Sequence, residues 1–267
     1  RTKEVVEQKE KIEEINKDLT DSINYAKRIQ LQLLPEKEIF KSILPSSFVL
    51  YNPKDIVSGD FYWIKEDKKE IILACADCTG HGVPGGFMSM ISSILIHEAV
   101  EFHNKTVPAD ILSEVDLNIR NILNQKDDFD SNKDGMDVAM ININKNTGML
   151  SFSGAIRSCY IYRKSERIVL KGDRYSIGGY MVDDKKFTTQ KYQLQKGDLV
   201  YMFSDGFPDQ FGGERMRKLK MSGFNKLLDE YSSLPINLQK DKFNAFIKNW
   251  IGEGPQMDDI LLIGFEY

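Results

Sequence analysis

The sequence predicts an α+β fold in which antiparallel strands form a sandwich and helices are segregated from them. Three observations point there. Five strand-like runs, 137–143, 149–153, 159–163, 167–170 and 187–194, follow one another with turn signals such as Asn146-Thr147-Gly148 and Lys171-Gly172-Asp173 between them. The helical patterns stand apart as two blocks, 87–125 and 209–255, which argues against the regular strand-helix alternation of a doubly wound sheet. A heptad-patterned segment precedes everything else.

That first segment places Val5, Gln8, Ile12, Ile15, Leu19, Ser22, Ala26, Ile29 and Leu33 at alternating steps of three and four, with opposite charges on the other faces and Pro35 closing the run. A helix about 50 Å long at 1.5 Å per residue cannot bury such a seam by itself. A parallel homodimer is expected, with a helix folded back on its own domain as the alternative. The chain opens at Arg1 inside this pattern without an initiator Met, so a longer protein with an upstream sensor domain is expected.

The stretch 48–64 reads as a hairpin-rich entry to the sheet, followed by a strand over 71–76. Gly82-Val83-Pro84-Gly85-Gly86 then leads into an apolar helix over 87–102, read as core because it is only about sixteen residues long and carries His97, Glu98 and Glu101 in its last turns. Its N-terminus would favour an anion such as phosphate. A second helix is expected over 108–125, with Pro108 in its first turn and Leu112, Val115, Ile119 and Ile122 on one face. Asp130-x-Asn132-x-Asp134-Gly135 copies half of an EF-hand loop, but Ile141 stands where a bidentate Glu is needed, so no calcium site is expected. After the five strand-like runs come a strand over 199–203, a helical insertion with Phe224, Leu227, Leu228 and Tyr231 at helical spacing, a helix over 240–250, and a closing strand over 260–265.

Composition narrows the function classes. The 267 residues are 41% hydrophobic with a net charge of −4, enough for a core and without the basic surface that nucleic acid would require. No signal peptide is read and no apolar run of transmembrane length, so a cytoplasmic location is expected, with membrane tethering left to upstream segments. Cys75, Cys78 and Cys159 are an odd set suited to a reducing compartment, and Cys75-x-x-Cys78 lies along a strand, which separates the two thiols. His97 and His103 read as partly exposed structure.

The chemistry lies in four acidic signatures: Ser58-Gly59-Asp60-Phe61, Asp77-Cys78-Thr79-Gly80-His81-Gly82, Ser204-Asp205-Gly206 and Asp258-Asp259. Asp77 and Asp205 lie near the C-terminal ends of strand-like runs and Asp258 just before one, so an antiparallel sheet could gather them on one rim. Carboxylates that close raise one another's pKa and call for a counter-charge, which hard oxygen-seeking Mg²⁺ or Mn²⁺ supplies.

Taken in order, these motifs resemble the metal-dependent protein phosphatase superfamily (PPM), in particular its bacterial SpoIIE-type branch, from about Pro45 to Tyr267. The matching residues are Gly59 to Tyr62, Asp77 to Gly82, Asp205-Gly206 and Asp258-Asp259-Ile260; Gly154-Ala155-Ile156 departs from the acid that some branches carry there for a third metal. The resemblance implies two stacked antiparallel sheets flanked by helix pairs, with residues 1–34 as a helical linker and 45–267 as the phosphatase domain. It implies two Mn²⁺ or Mg²⁺ ions bridged by Asp77, one completed by the carbonyl of Cys78 and the other held by Asp205 and Asp258, with Asp60 ordering a metal-bound water and Asp259 structural. The implied activity is hydrolysis of phosphoserine or phosphothreonine by a metal-activated water, on a phosphoprotein such as an anti-sigma-factor antagonist, under control of the N-terminal helix in a bacterial signalling pathway. Lys54 and His81 are candidate contacts to substrate, His81 also as a proton donor. The rival classes are an inert binding module of the same fold and a metal-dependent phosphodiesterase.

Overall fold

The computed structural model describes residues 2–126, 132–179 and 185–267. The chain begins with α1 (Thr2–Leu33) and the short α2 (Lys37–Ile43), then β1 (Ser47–Asn52), β2 (Asp60–Glu66) and β3 (Glu70–Cys78). The first helical layer is α3 (Gly82–Glu101) and α4 (Pro108–Ile122). There follow β4 (Gly135–Asn144), β5 (Met149–Ala155), β6 (Cys159–Arg163), β7 (Glu166–Leu170), β8 (Ile177–Gly178), β9 (Gln190–Gln193) and β10 (Leu199–Phe203). A single turn, α5 (Gly206–Asp209), and the small ribbon of β11 (Phe211–Gly212) and β12 (Arg217–Lys218) lead to α6 (Lys220–Tyr231), α7 (Ile236–Ile251) and β13 (Ile260–Glu266).

Two antiparallel sheets face each other. One has the order β1-β13-β10-β6-β7; the other has β2-β3-β4-β5-β9, with β8 added to β4. α3 and α4 cover the second sheet, and α6 and α7 cover the first, which gives the four-layer αββα sandwich. The period-two alternation of strands explains why β10 and β13 read as unbroken apolar runs. Val200, Met202, Leu261, Ile263 and Phe265 pack between the sheets, while Leu199, Tyr201, Phe203, Ile260 and Leu262 pack outward under the α6/α7 layer. There Phe203, Phe207, Phe224 and Phe243 form a ring cluster, with Phe203 and Phe224 centroids 4.7 Å apart at 73°. Edge-to-face contacts of this kind add to the area they bury.

Several expectations are corrected. β1 and β2 do not form a hairpin: β1 pairs with β13 and β2 with β3, so 48–64 crosses from one sheet to the other. α3 starts at Gly82, five residues before the expected position, and Gly82-Val83-Pro84-Gly85-Gly86 is its first turn. Pro84 fits there because early helical N–H groups have no intrahelical acceptor to lose. At 20 residues α3 is long and apolar enough, by length and composition alone, to cross a membrane. Here Met88, Leu95, Ile96, Ala99 and Val100 are buried in the core beside β2 and β3. β9 is shorter than the expected run over 187–194. Of the EF-hand-like loop, Asp130 lies outside the described residues; Asp134 accepts from Thr79 Oγ1, and Ile141 is buried in β4.

α1 projects from the domain. Val5, Ile12, Ile15 and Leu19 are more than half exposed, so the seam is not folded back on its own domain. Its C-terminal part engages the domain, with Gln30 buried and Leu34, just past the helix, buried in the core. Gln30 Nε2 donates to Ser58 O (2.6 Å) and to Ser89 Oγ (2.8 Å), and Ser58 N donates to Gln30 Oε1.

Candidate active site

Three carboxylates form a row across the second sheet. Asp60 opens β2 opposite Asp77 on β3, and Asp77 lies opposite Asp137 on β4. Like charges directly opposite each other on adjacent strands are destabilising, so the row has a cost in folding. The other sheet supplies Asp205, two residues after β10, and Asp258, two before β13; these strands are antiparallel neighbours, so the end of one meets the start of the other. The acids therefore do not share one sheet's rim, as the sequence suggested: they face each other across one end of the sandwich.

Specific ties hold that end. Ser204 Oγ donates to Asp60 Oδ2 at 2.6 Å and accepts from Leu261 N at 3.0 Å, joining the two sheets behind the acids. Asp259, 2% exposed, accepts from Lys54 N and Gly59 N at 2.7 Å each and so fixes the β1–β2 crossing. It is a positioning group, while Asp258 Oδ1 accepts from the neighbouring Asp259 N. Gly206 is required because a Cβ there would lie 1.8 Å from Asp259 O. Gly85 admits Gly80 O in the same way, at 2.3 Å from its absent Cβ.

The electrostatics are those of acids short of counter-charge. Burial, then the approach of Asp205 and Asp137, pushes Asp77 up to about 7 against the pull of Arg157. Burial and neighbouring Asp77 raise Asp60 well above the usual carboxylate range, and Ser204 offsets part of this. Asp137 and Asp258 are raised, chiefly by burial. Arg157 is the cation in contact. Its Nη2 lies 2.7 Å from Asp77 Oδ2, 2.7 Å from Asp205 Oδ2 and 3.2 Å from Asp137 Oδ2.

The residues fit divalent cations by donor chemistry. The side-chain donors are all carboxylate oxygens, the type preferred by Mg²⁺ and Mn²⁺. Among the described residues no group of three acids is arranged to hold an ion; Asp77, Asp137 and Asp205 converge on the guanidinium. The Cys78 thiol points away, its Sγ 3.8 Å from Ser92 Oγ in the core, so only the carbonyl of Cys78 is a candidate ligand. Cys75, Cys78 and Cys159 are all free and buried.

Lys54 and His81 form one unit at the start of α3. Lys54 Nζ lies 3.0 Å from His81 Nε2, and His81 Nδ1 lies 2.7 Å from Asp55 Oδ2. An ammonium can only donate, so Nε2 accepts and Nδ1–H donates to Asp55. In that arrangement Nε2 carries no proton, and His81 links Lys54 to Asp55. Sequence reasoning missed Asp137, Arg157 and Asp55. Asp137 had a signal, as an acid within the apolar run of β4; Arg157 had none beyond its place after β5.

Comparison with known proteins places this geometry. The family profile for Stage II sporulation protein E (SpoIIE) matches residues 67–267. The SiaA-PP2C domain of Pseudomonas aeruginosa superposes with a TM-score of 0.85 at 32% identity, over 95% of this chain and 98% of that one. The PP2C phosphatase domain of SpoIIE from Bacillus subtilis, solved with a fragment of its regulatory domain, has a TM-score of 0.65 at 17% identity, over 83% of this chain and 63% of that one. Phosphoserine phosphatase RsbU of Bacillus subtilis (strain 168) is 25% identical over 198 residues, 72% of this chain and 55% of that protein, so the chain spans about half the length of this curated relative. From the span of the profile match and the likeness to the SiaA domain, the chain belongs to the SpoIIE family and has the PP2C phosphatase fold.

Proposed function

We propose that residues 45–267 form a metal-dependent phosphoprotein phosphatase that hydrolyses phosphoserine or phosphothreonine, with residues 1–34 as a regulatory linker. The observation that carries this reading is the convergence of Asp60, Asp77, Asp137, Asp205 and Asp258 from both sheets at one end of the sandwich. The names of the relatives, a phosphoserine phosphatase and PP2C domains, support it.

Asp77, Asp205, Asp258 and the carbonyl of Cys78 would hold two Mg²⁺ or Mn²⁺ ions. Bound there, such ions lower the pKa of water and neutralise charge that develops on a phosphoryl group in line displacement. The chain supplies the rest. Asp60, held by Ser204 in a fixed orientation, would order the attacking water. Lys54, supported by His81 and Asp55, would meet the substrate phosphate next to the first free N–H groups of α3. No side-chain nucleophile is needed, and the buried thiols have their pKa raised by desolvation, which suits them to none.

The physiological substrate is proposed as a phosphoprotein, an anti-sigma-factor antagonist being the type in view, and the setting as bacterial signalling in the cytoplasm. The exposed seam of α1 favours a parallel homodimer as the route by which an upstream signal arrives. The test is a substrate panel in Mn²⁺: phosphoserine and phosphothreonine peptides should be turned over and a bis-aryl phosphodiester should not. Preference for the diester would replace this reading with a phosphodiesterase.

A further inference from the structure

Arg157 has a place that neither the fold nor the proposed chemistry explains. It follows β5, outside the strands that carry the acids, and reaches across to both sheets. One nitrogen, Nη2, takes all three carboxylates, although it has only two hydrogens to donate. Meanwhile its buried Nε has no hydrogen-bond partner among the described residues. Guanidinium–carboxylate pairs are frequently bidentate, as Arg163 is with Asp198. Arg157 is used as a point charge.

The atoms it touches decide the consequence. Asp77 Oδ2 and Asp205 Oδ2, each 2.7 Å from Nη2, belong to the two residues that would hold the divalent ions from opposite sheets. An oxygen ligand to Mg²⁺ sits about 2.1 Å from the ion. A positive ion at that distance from both oxygens would lie against the guanidinium, so the two cations exclude one another.

We infer that Arg157 is a built-in counter-cation that holds Asp77, Asp137 and Asp205 together in the metal-free protein and must release Asp77 and Asp205 before a divalent ion binds. This rests on the metal reading above. Metal affinity is then set by a competition inside the chain, since an apparent Kd rises in proportion as the competent state becomes rarer. Asp77 is held in β3 and Asp205 two residues past β10, whereas the arginine has a long stem of rotatable bonds.

The test is calorimetric titration of Mn²⁺ and Mg²⁺ into the wild type, Arg157→Lys and Arg157→Met, with melting temperatures of the same samples in chelator and in metal. If about one tenth of the wild type is competent, Arg157→Met binds Mn²⁺ about tenfold more tightly. It also melts lower in chelator and gains more from metal, and Arg157→Lys falls between. A folded Arg157→Met with unchanged or weaker affinity overturns the inference while leaving the metal site standing. Absence of binding to the wild type and both variants overturns the metal reading and this inference with it. Should Arg157→Met fail to fold, the wild type decides: the Arg157 Nε–Hε resonance shifts as Mg²⁺ saturates the protein if the guanidinium is displaced, and stays in place if the inference is wrong.

Discussion

Arg163 and Arg157 lie six residues apart in sequence, and the contrast between them separates a group that stabilises from a group that serves chemistry. Arg163 meets one carboxylate with two nitrogens, Nε to Asp198 Oδ1 at 3.0 Å and Nη2 to Asp198 Oδ2 at 2.7 Å. Asp198, 2% exposed, also accepts from Gln195 N, and Arg163 Nη2 also donates to Gln193 O. Charges and hydrogen bonds close. Around Arg157 they do not: three carboxylates share one nitrogen, another nitrogen is orphaned, and Asp77 is pushed up to about 7 by burial and its acidic neighbours. Such a cluster persists because the rest of the fold holds it, and perturbed acids of this kind concentrate at functional sites.

Mutation should widen that contrast most on activity. Asp77→Asn and Asp205→Asn are expected to lower turnover of a phosphoserine peptide by about a thousandfold or more, the scale of losing one member of a catalytic unit. Their melting temperatures in chelator should hold or rise, because each removes a charge from a crowded site. A near wild-type rate in either would remove that residue from the site. Asp198→Ala should do the reverse, lowering stability by removing the buried acceptor of Arg163 and of Gln195 N while sparing metal affinity. Denaturant unfolding and calorimetry on one sample measure both.

A pH titration sharpens the same point. The folded pKa of Asp77, about 7, stands above its ordinary 3.8, so the folded state binds the extra proton between them. Its stabilisation is complete below about 4 and is lost as pH rises towards 7, so the metal-free protein should melt lower across that window. Divalent ions compete with the same proton, and their affinity should rise with pH over the range in which Asp77 deprotonates. A flat melting profile in chelator would mean that Asp77 is not the strained acid described here.

The smallest effect on stability belongs to α1. Ile15→Asp and Leu19→Asp should each change unfolding free energy by no more than about 0.5 kcal/mol, as exposed positions do. Together they should halve the sedimenting mass if the seam pairs two chains. An unchanged mass would refute the dimer.

Much of this was legible in the sequence, and the limits have physical causes. β3, β10 and β13 could be read because each is a continuous apolar run with an aspartate at or near one end, and their outward faces are covered by helices as their inward faces are by the opposite sheet. Strand pairing was not legible, since it is decided by contacts remote in sequence: β1 finds β13 and not β2. For the same reason the acids were assigned to one rim when they come from two sheets. Asp137 was hidden by the EF-hand-like residues before it, which drew the reading towards a loop that ends where β4 begins. Arg157 was hidden because Gly154-Ala155-Ile156 was read for a missing acid. The residue that follows, a cation brought in after a left-handed Ile156 with φ of 63°, became visible only when the sheets were in place.

The central claim is that the acidic end of the sandwich performs metal-dependent phosphomonoester hydrolysis. It is tested most directly by following turnover of a phosphoserine peptide as Mn²⁺ is titrated into chelator-treated wild-type protein, with calorimetric occupancy measured on the same samples. Turnover should stay at background in chelator and rise in step with occupancy. Undiminished turnover in chelator, or a rate that ignores occupancy, would contradict the claim.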